Sequence, residues 1–186
     1  MAENMFDITL EELEQTEAFK KVSRIYFNGD LKYNETLQFL DYNFELDEDF
    51  QRILDAFDNR YGIEDIKSLE KDIRLTAISH DKKLVFIYDN PNKFNKYRAL
   101  SLENYPEDLK LGYPKELWIE KSLRLDNHTA LSLPLALQDS MVDISLSKSG
   151  YMVIRIMSDS FDWKKEGAVD RLSKLVENSK KEIFDL

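Results

Sequence analysis

The 186-residue chain has no cysteine, five glycines, four prolines and two histidines. Without cysteine there is no disulfide framework, no thiolate zinc site and no cysteine nucleophile, and the composition suits a reducing compartment. The glycines (Gly29, Gly62, Gly112, Gly150 and Gly167) stand apart from one another, so no phosphate-binding loop or dinucleotide fingerprint can be assembled. No Gly-x-Ser-x-Gly elbow exists for a hydrolase of that type. A metal site built on two imidazoles would need both His80 and His128, from a predicted loop and a predicted strand edge, and each reads more simply as a loop residue. No apolar run approaches the roughly 18 residues of a membrane span. Met1 to Leu10 carries two carboxylates and no base, unlike a secretory or transit signal. These absences predict a soluble cytoplasmic protein with no cofactor and no membrane partner.

What is present is a core and an excess of negative charge. Of all residues 42% are hydrophobic and 12% aromatic, enough to fold rather than stay disordered. The net charge is −10, and it is unevenly spread: residues 1–72 hold 19 acids and 8 bases, residues 73–186 hold 17 acids and 18 bases. Charge asymmetry of this kind points toward a charged partner. The densest stretch is Asp41, Glu45, Asp47, Glu48 and Asp49, continued by Asp55 and Asp58; a second cluster is Glu11, Glu12, Glu14 and Glu17. Solvated helix faces and N-terminal turns are the commoner explanation of such runs, because charged runs are usually surface and carboxylates suit the positive end of the helix dipole.

Along the chain, Thr9 with Glu12 makes a capping box that opens a helix ending near Lys21. Val22–Phe27 alternates with a period of two and runs into Asn28-Gly29, which predicts a hairpin returning through Asp30–Tyr33. Asp47 caps a helix bearing Phe50, Ile53, Leu54, Phe57 and Tyr61, with Gly62 as its stop. From residue 73 the apolar runs shorten, and strands are predicted at 74–79, 84–89, 97–102, 116–125, 131–137, 142–146 and 151–157. Pro134 places its strand at an edge. The chain closes with a helix capped by Ser160 or Asp162 and striped by Val169, Leu172, Leu175, Val176 and Ile183. The expected fold is therefore α+β: a mainly antiparallel sheet of six to eight strands, with helices near both chain ends. An acidic helix/hairpin/helix subregion (1–72) would pack as one domain with the sheet and last helix (73–186).

Three functions follow, the third being a structural or assembly subunit whose sheet edge pairs with a neighbour. In the first, the acidic half is a surface for a basic protein, with Asp41, Glu45, Asp47, Glu48, Asp49, Asp55 and Asp58 as contacts. The aromatics around them (Tyr26, Phe27, Tyr33, Phe39, Tyr42, Phe44, Phe50) are interleaved with carboxylates, where a nucleic-acid reader would carry Lys and Arg. Such a protein would act as a non-enzymatic inhibitor or adaptor, as immunity proteins and phage antagonists do, covering a basic site that ordinarily holds nucleic acid. In the second, Asp143, Asp162 and Lys164 form the skeleton of a metal-dependent nuclease or hydrolase, two carboxylates for the ion and a lysine for the attacking water.

Overall fold

The structure, a computed structural model, describes residues 9–38, 44–61, 72–127, 129 and 131–184. In chain order its main elements are α1 (Leu10–Tyr26), β1 (Lys32–Tyr33), β2 (Thr36–Gln38), α2 (Glu48–Tyr61), β3 (Asp72–Arg74), β4 (Ala77–Ser79), β5 (Leu84–Asp89), α3 (Lys96–Glu103), α4 (Lys115–Leu125), α5 (Ser132–Lys148), β6 (Met152–Met157) and α6 (Ala168–Phe184). Among the described residues no helix is long and apolar enough to cross a membrane.

The fold is α+β, but its sheet differs from the expected one. Four strands lie in the order β1-β4-β5-β6, with β1, β4 and β5 antiparallel and β6 parallel to β5. A separate two-stranded ribbon joins β2 to β3. A parallel neighbour requires a crossover, and α3, α4 and α5 supply it, so helices fill the middle of the chain as well as its ends.

Alternation along β5 and β6 divides the interior in two. Leu84, Phe86, Ile154 and Ile156 pack under α1 and α6 with Phe19, Val22, Trp163, Leu172 and Val176. Val85, Ile87 and Val153 pack on the opposite face with side chains of α2, α3, α4 and α5.

Five local expectations are corrected by this packing. Residues 22–26 continue α1 and Phe27 is its C-cap, because Phe19, Val22 and Ser23 are buried at helical spacing. Asn28 and Gly29 do take positive φ (51° and 84°), yet they end the helix, their N–H groups bonding to the carbonyls of Ile25 and Arg24. Residues 97–102 belong to α3, whose N-terminus Asn95 caps by accepting from the N–H groups of Tyr97 and Arg98. Residues 116–125 are α4: Trp118, Lys121 and Ser122 are buried at i, i+3, i+4, while Leu117, Leu123 and Leu125 face outward. Residues 131–137 and 142–146 join into α5, with Pro134 in the first turn, where a missing N–H costs nothing. That helix is buried on nearly every side, so it lacks the amphipathic stripe that identifies a helix in sequence. The last helix starts at Ala168, after Gly167 at φ 83°, and neither Ser160 nor Asp162 caps it. Gly62, residues 63–71, Phe39, Tyr42 and His128 lie outside the described residues.

Candidate functional site

Asp47 accepts hydrogen bonds from the N–H groups of Asp49 and Phe50, both at 3.0 Å, and so caps α2 as its sequence predicts. The same carboxylate takes Lys148 Nζ at 2.8 Å, and Asp49 is paired with both Lys148 (2.6 Å) and Arg52 (2.5 Å). Two of the seven predicted contact acids are therefore neutralised locally. Asp41 and the side chain of Glu45 lie outside the described residues. Glu48, Asp55 and Asp58 remain exposed, with no ion pair among the described residues. Helical geometry sets Glu48 and Asp55 nearly in line, about 10 Å apart along the axis, with Asp58 almost one turn further on and about 60° round the helix from Asp55. Behind them Phe50, Ile53, Leu54 and Phe57 anchor the helix in the core.

The α1 acids sit on the other face of the sheet, so the two clusters do not form one patch. Glu12 completes the capping box with the Thr9 N–H at 2.8 Å. Glu14 pairs with Lys164 at 3.1 Å and Glu17 with the buried Lys20 at 2.7 Å. The Lys20 hydrogen bond holds the Glu17 carboxyl below its usual range.

The three nuclease candidates are separated by their partners. Asp143 falls in the middle of α5 rather than at a strand start, fully buried, and both its oxygens are taken. Asp162 accepts from Gln15 Nε2 at 2.7 Å and from the Lys164 N–H at 3.1 Å, and the Gln15 bond keeps its carboxyl below the ordinary value. Lys164 turns to Glu14, whose hydrogen bond raises its pKa. Among the described residues no three His, Asp or Glu side chains are grouped to hold a metal ion. His80 is exposed, with Nδ1 2.8 Å from the Tyr151 hydroxyl.

The densest polar chemistry is a set of residues of which sequence reasoning singled out only Asp143, and that for another role. At the C-terminal ends of the parallel pair β5 and β6, Arg155 donates through Nε to Asp143 (3.0 Å). Its terminal nitrogens reach Asp89 (2.7 Å) and Asp139 (3.1 Å). Arg98 from α3 donates to the second oxygen of Asp143 at 2.8 Å, which also accepts from the hydroxyls of Tyr113 (2.7 Å) and Tyr105 (2.9 Å). Trp118 Nε1 donates to Asp89 at 2.8 Å, and Lys93 closes the set on Asp139 at 2.7 Å. Burial by itself would raise the carboxyls of Asp143 and Asp139. The guanidiniums of Arg155 and Arg98, joined at Asp139 by Lys93, outweigh it and hold Asp143 below the ordinary carboxylate value and Asp139 well below it. Burial also raises the Tyr105 and Tyr113 hydroxyls, so they stay protonated donors. Three aspartates thus face two arginines and a lysine. Such a set clamps α3, α5, β5 and β6 together. The sequence does hold a signal for it. Arg155 interrupts the strand Met152–Met157, and Asp139 and Asp143 are spaced i, i+4 on an apolar helix, so each needs a buried partner.

No protein-family model matches the chain, and searches of curated proteins and of solved structures find no match either.

Proposed function

We propose that the protein is a non-enzymatic binding protein that docks on a basic surface of a partner protein through the α2 stripe of Glu48, Asp55 and Asp58. The observation that carries this reading is that these three carboxylates are exposed, with no ion pair among the described residues, on a helix whose other face is locked in the core. Carboxylates held on a rigid helix meet Lys and Arg without first having to be ordered, and charge of one sign speeds the encounter at low salt. A basic groove that ordinarily holds nucleic acid is the surface best matched, since its cations are spaced for a row of negative charges. The reading is narrower than the seven-residue patch expected from sequence. Asp47 and Asp49 serve the fold through Lys148, and only the free carboxylates are assigned to the partner.

The test is a capture experiment from cell extract at low salt, with the native protein and the E48K/D55K/D58K variant as baits. The expected result is a basic protein retained by the native bait, released as salt is raised, and absent from the variant. Retention of no basic protein, or equal retention by both baits, overturns the reading.

A further inference from the structure

Strand β6 lies at the edge of the sheet, with a strand partner on one side only, and its residues 153–157 are themselves buried. Met152 and Ser158 direct their N–H groups to the carbonyls of Lys83 and Asp89 at 2.8 and 2.9 Å. Residues of that parity therefore face β5, and those at 153, 155 and 157 present their backbone groups to the free edge. The Val153 carbonyl is taken by the Gly112 N–H at 3.0 Å. That approach leaves no room for a side chain, since a Cβ on Gly112 would lie 2.8 Å from the same oxygen. Beyond this point the chain turns away into α4. The N–H and C=O of Arg155 and the N–H of Met157 are left without a backbone partner among the described residues.

They face a cleft of about 220 Å³ between α4 and α6. Its walls carry Leu117 and Trp118 on one side, Trp163 and Leu175 on the other. Both tryptophans of the chain line it. Among the described residues no carboxylate does, in a chain of net charge −10, and Arg171 is exposed with no ion pair among them. The volume falls below the roughly 300 Å³ at which small-molecule and cofactor pockets begin.

We propose that this cleft takes a short extended peptide of a partner protein that adds to the free edge of β6, with an apolar side chain between the indoles and an acidic residue at Arg171. Unpaired strand-edge groups are templates for another strand. In strand addition the backbone bonds give affinity and alternate side chains give specificity. The cleft shares no residue with the α2 stripe, and the proposal stands or falls independently of it.

Random heptapeptides displayed on phage, selected on the full-length protein, provide the probe, and emission of Trp118 and Trp163 reads the binding of each synthetic winner. The expected winners share an acidic residue and an apolar one and change the emission saturably. N-methylation of one central amide should weaken them about fivefold, the worth of one backbone hydrogen bond. Arg171→Glu should weaken acidic winners and spare their amide counterparts. Leu117→Arg, at an exposed position where folding is not at risk, should abolish binding with an unchanged circular dichroism spectrum. No enrichment over the bare support overturns the proposal, as does binding indifferent to N-methylation at every amide or to Leu117→Arg. Concentration-dependent dimers lost in Leu117→Arg would assign the edge to a second copy of the chain and overturn it as well.

Discussion

On one side of the sheet, α1 and α6 close over a layer made almost wholly of hydrocarbon and rings. Phe19 stands edge-on to Trp163 at 5.1 Å and packs on Phe86 at 5.6 Å, with Leu172 and Val176 filling the rest. On the other side, α3 and α5 lie over a layer whose largest fully buried side chains include Arg98 and Arg155. The first layer is held by the area it removes from water and depends on volume. The second has a large apolar core of its own and, within it, a buried ionic set whose desolvation penalty only a complete set of partners offsets. The same sheet therefore has one face that depends on volume alone and one that depends on volume and on charge pairing together.

The sharpest way to break that comparison is Asp143→Asn, which keeps the shape and removes the charge. Two guanidiniums then lose their shared carboxylate, and the expected loss is about 4 kcal/mol at neutral pH. Its pH dependence has a definite sign. Asp143 and Asp139 have folded pKa values below the unfolded value near ~3.9, so the stability they contribute is present above that pH. It is lost as pH falls through the folded values. The gap between native and variant proteins in urea midpoint should be widest near pH 7 and shrink below pH ~4. A gap of equal size at both pH values would show that the charges contribute nothing. Leu172→Ala on the other face is the counterpart. It deletes a fully buried side chain and should cost about 3 kcal/mol through transfer and cavity terms, with no dependence on pH.

Gly112→Ala tests where the two layers meet at the edge of β6. The added methyl would press on the Val153 carbonyl at 2.8 Å and on the Met152 side chain at 2.9 Å, and the segment must move out. About 2 kcal/mol of destabilisation is expected, as for other overpacked sites, read by thermal unfolding. An unchanged midpoint would mean that the segment 111–113 is not held against the strand.

The two faces also differ in how legible they are. Helices with one wet side were readable: α1 from Thr9 and Glu12, α2 from Asp47 and its stripe of Phe50, Ile53, Leu54 and Phe57, α6 from Leu172 and Val176. Strand β5 was readable too, as a short apolar run ended by Asn90-Pro91. The crossover helices were not. Buried α5 has apolar residues at every angle, and α3 is eight residues long, so neither has a period to distinguish it from a strand. Reading strands there hid the ionic layer, because Asp139, Asp143 and Arg98 converge only when their segments are helical and lie side by side. The acidic half was legible as charge but not as surface. Whether an aspartate faces a partner or a lysine depends on chain far away, as Lys148 is from Asp47.

The α2 stripe supplies the smallest expected effect on folding and the strongest contrast with Asp143. Glu48, Asp55 and Asp58 have water on one side and no ion pair among the described residues, so charge reversal removes no bond and leaves no cation orphaned. It also brings the net charge nearer zero, which relieves rather than adds self-repulsion. The E48K/D55K/D58K protein should unfold close to the native midpoint in urea, where Asp143→Asn has already lost most of its stability, and should lose at most about 1 kcal/mol through the lysine placed in the first turn of α2. If the triple variant instead unfolds well below the native protein, the stripe belongs to the fold, and loss of a partner in the capture experiment would report unfolding rather than recognition. If its midpoint stays close to the native one and capture is lost, charge on this helix acts outward. The chain would then keep two separate populations of carboxylates, one spent on arginines inside and one facing a partner outside.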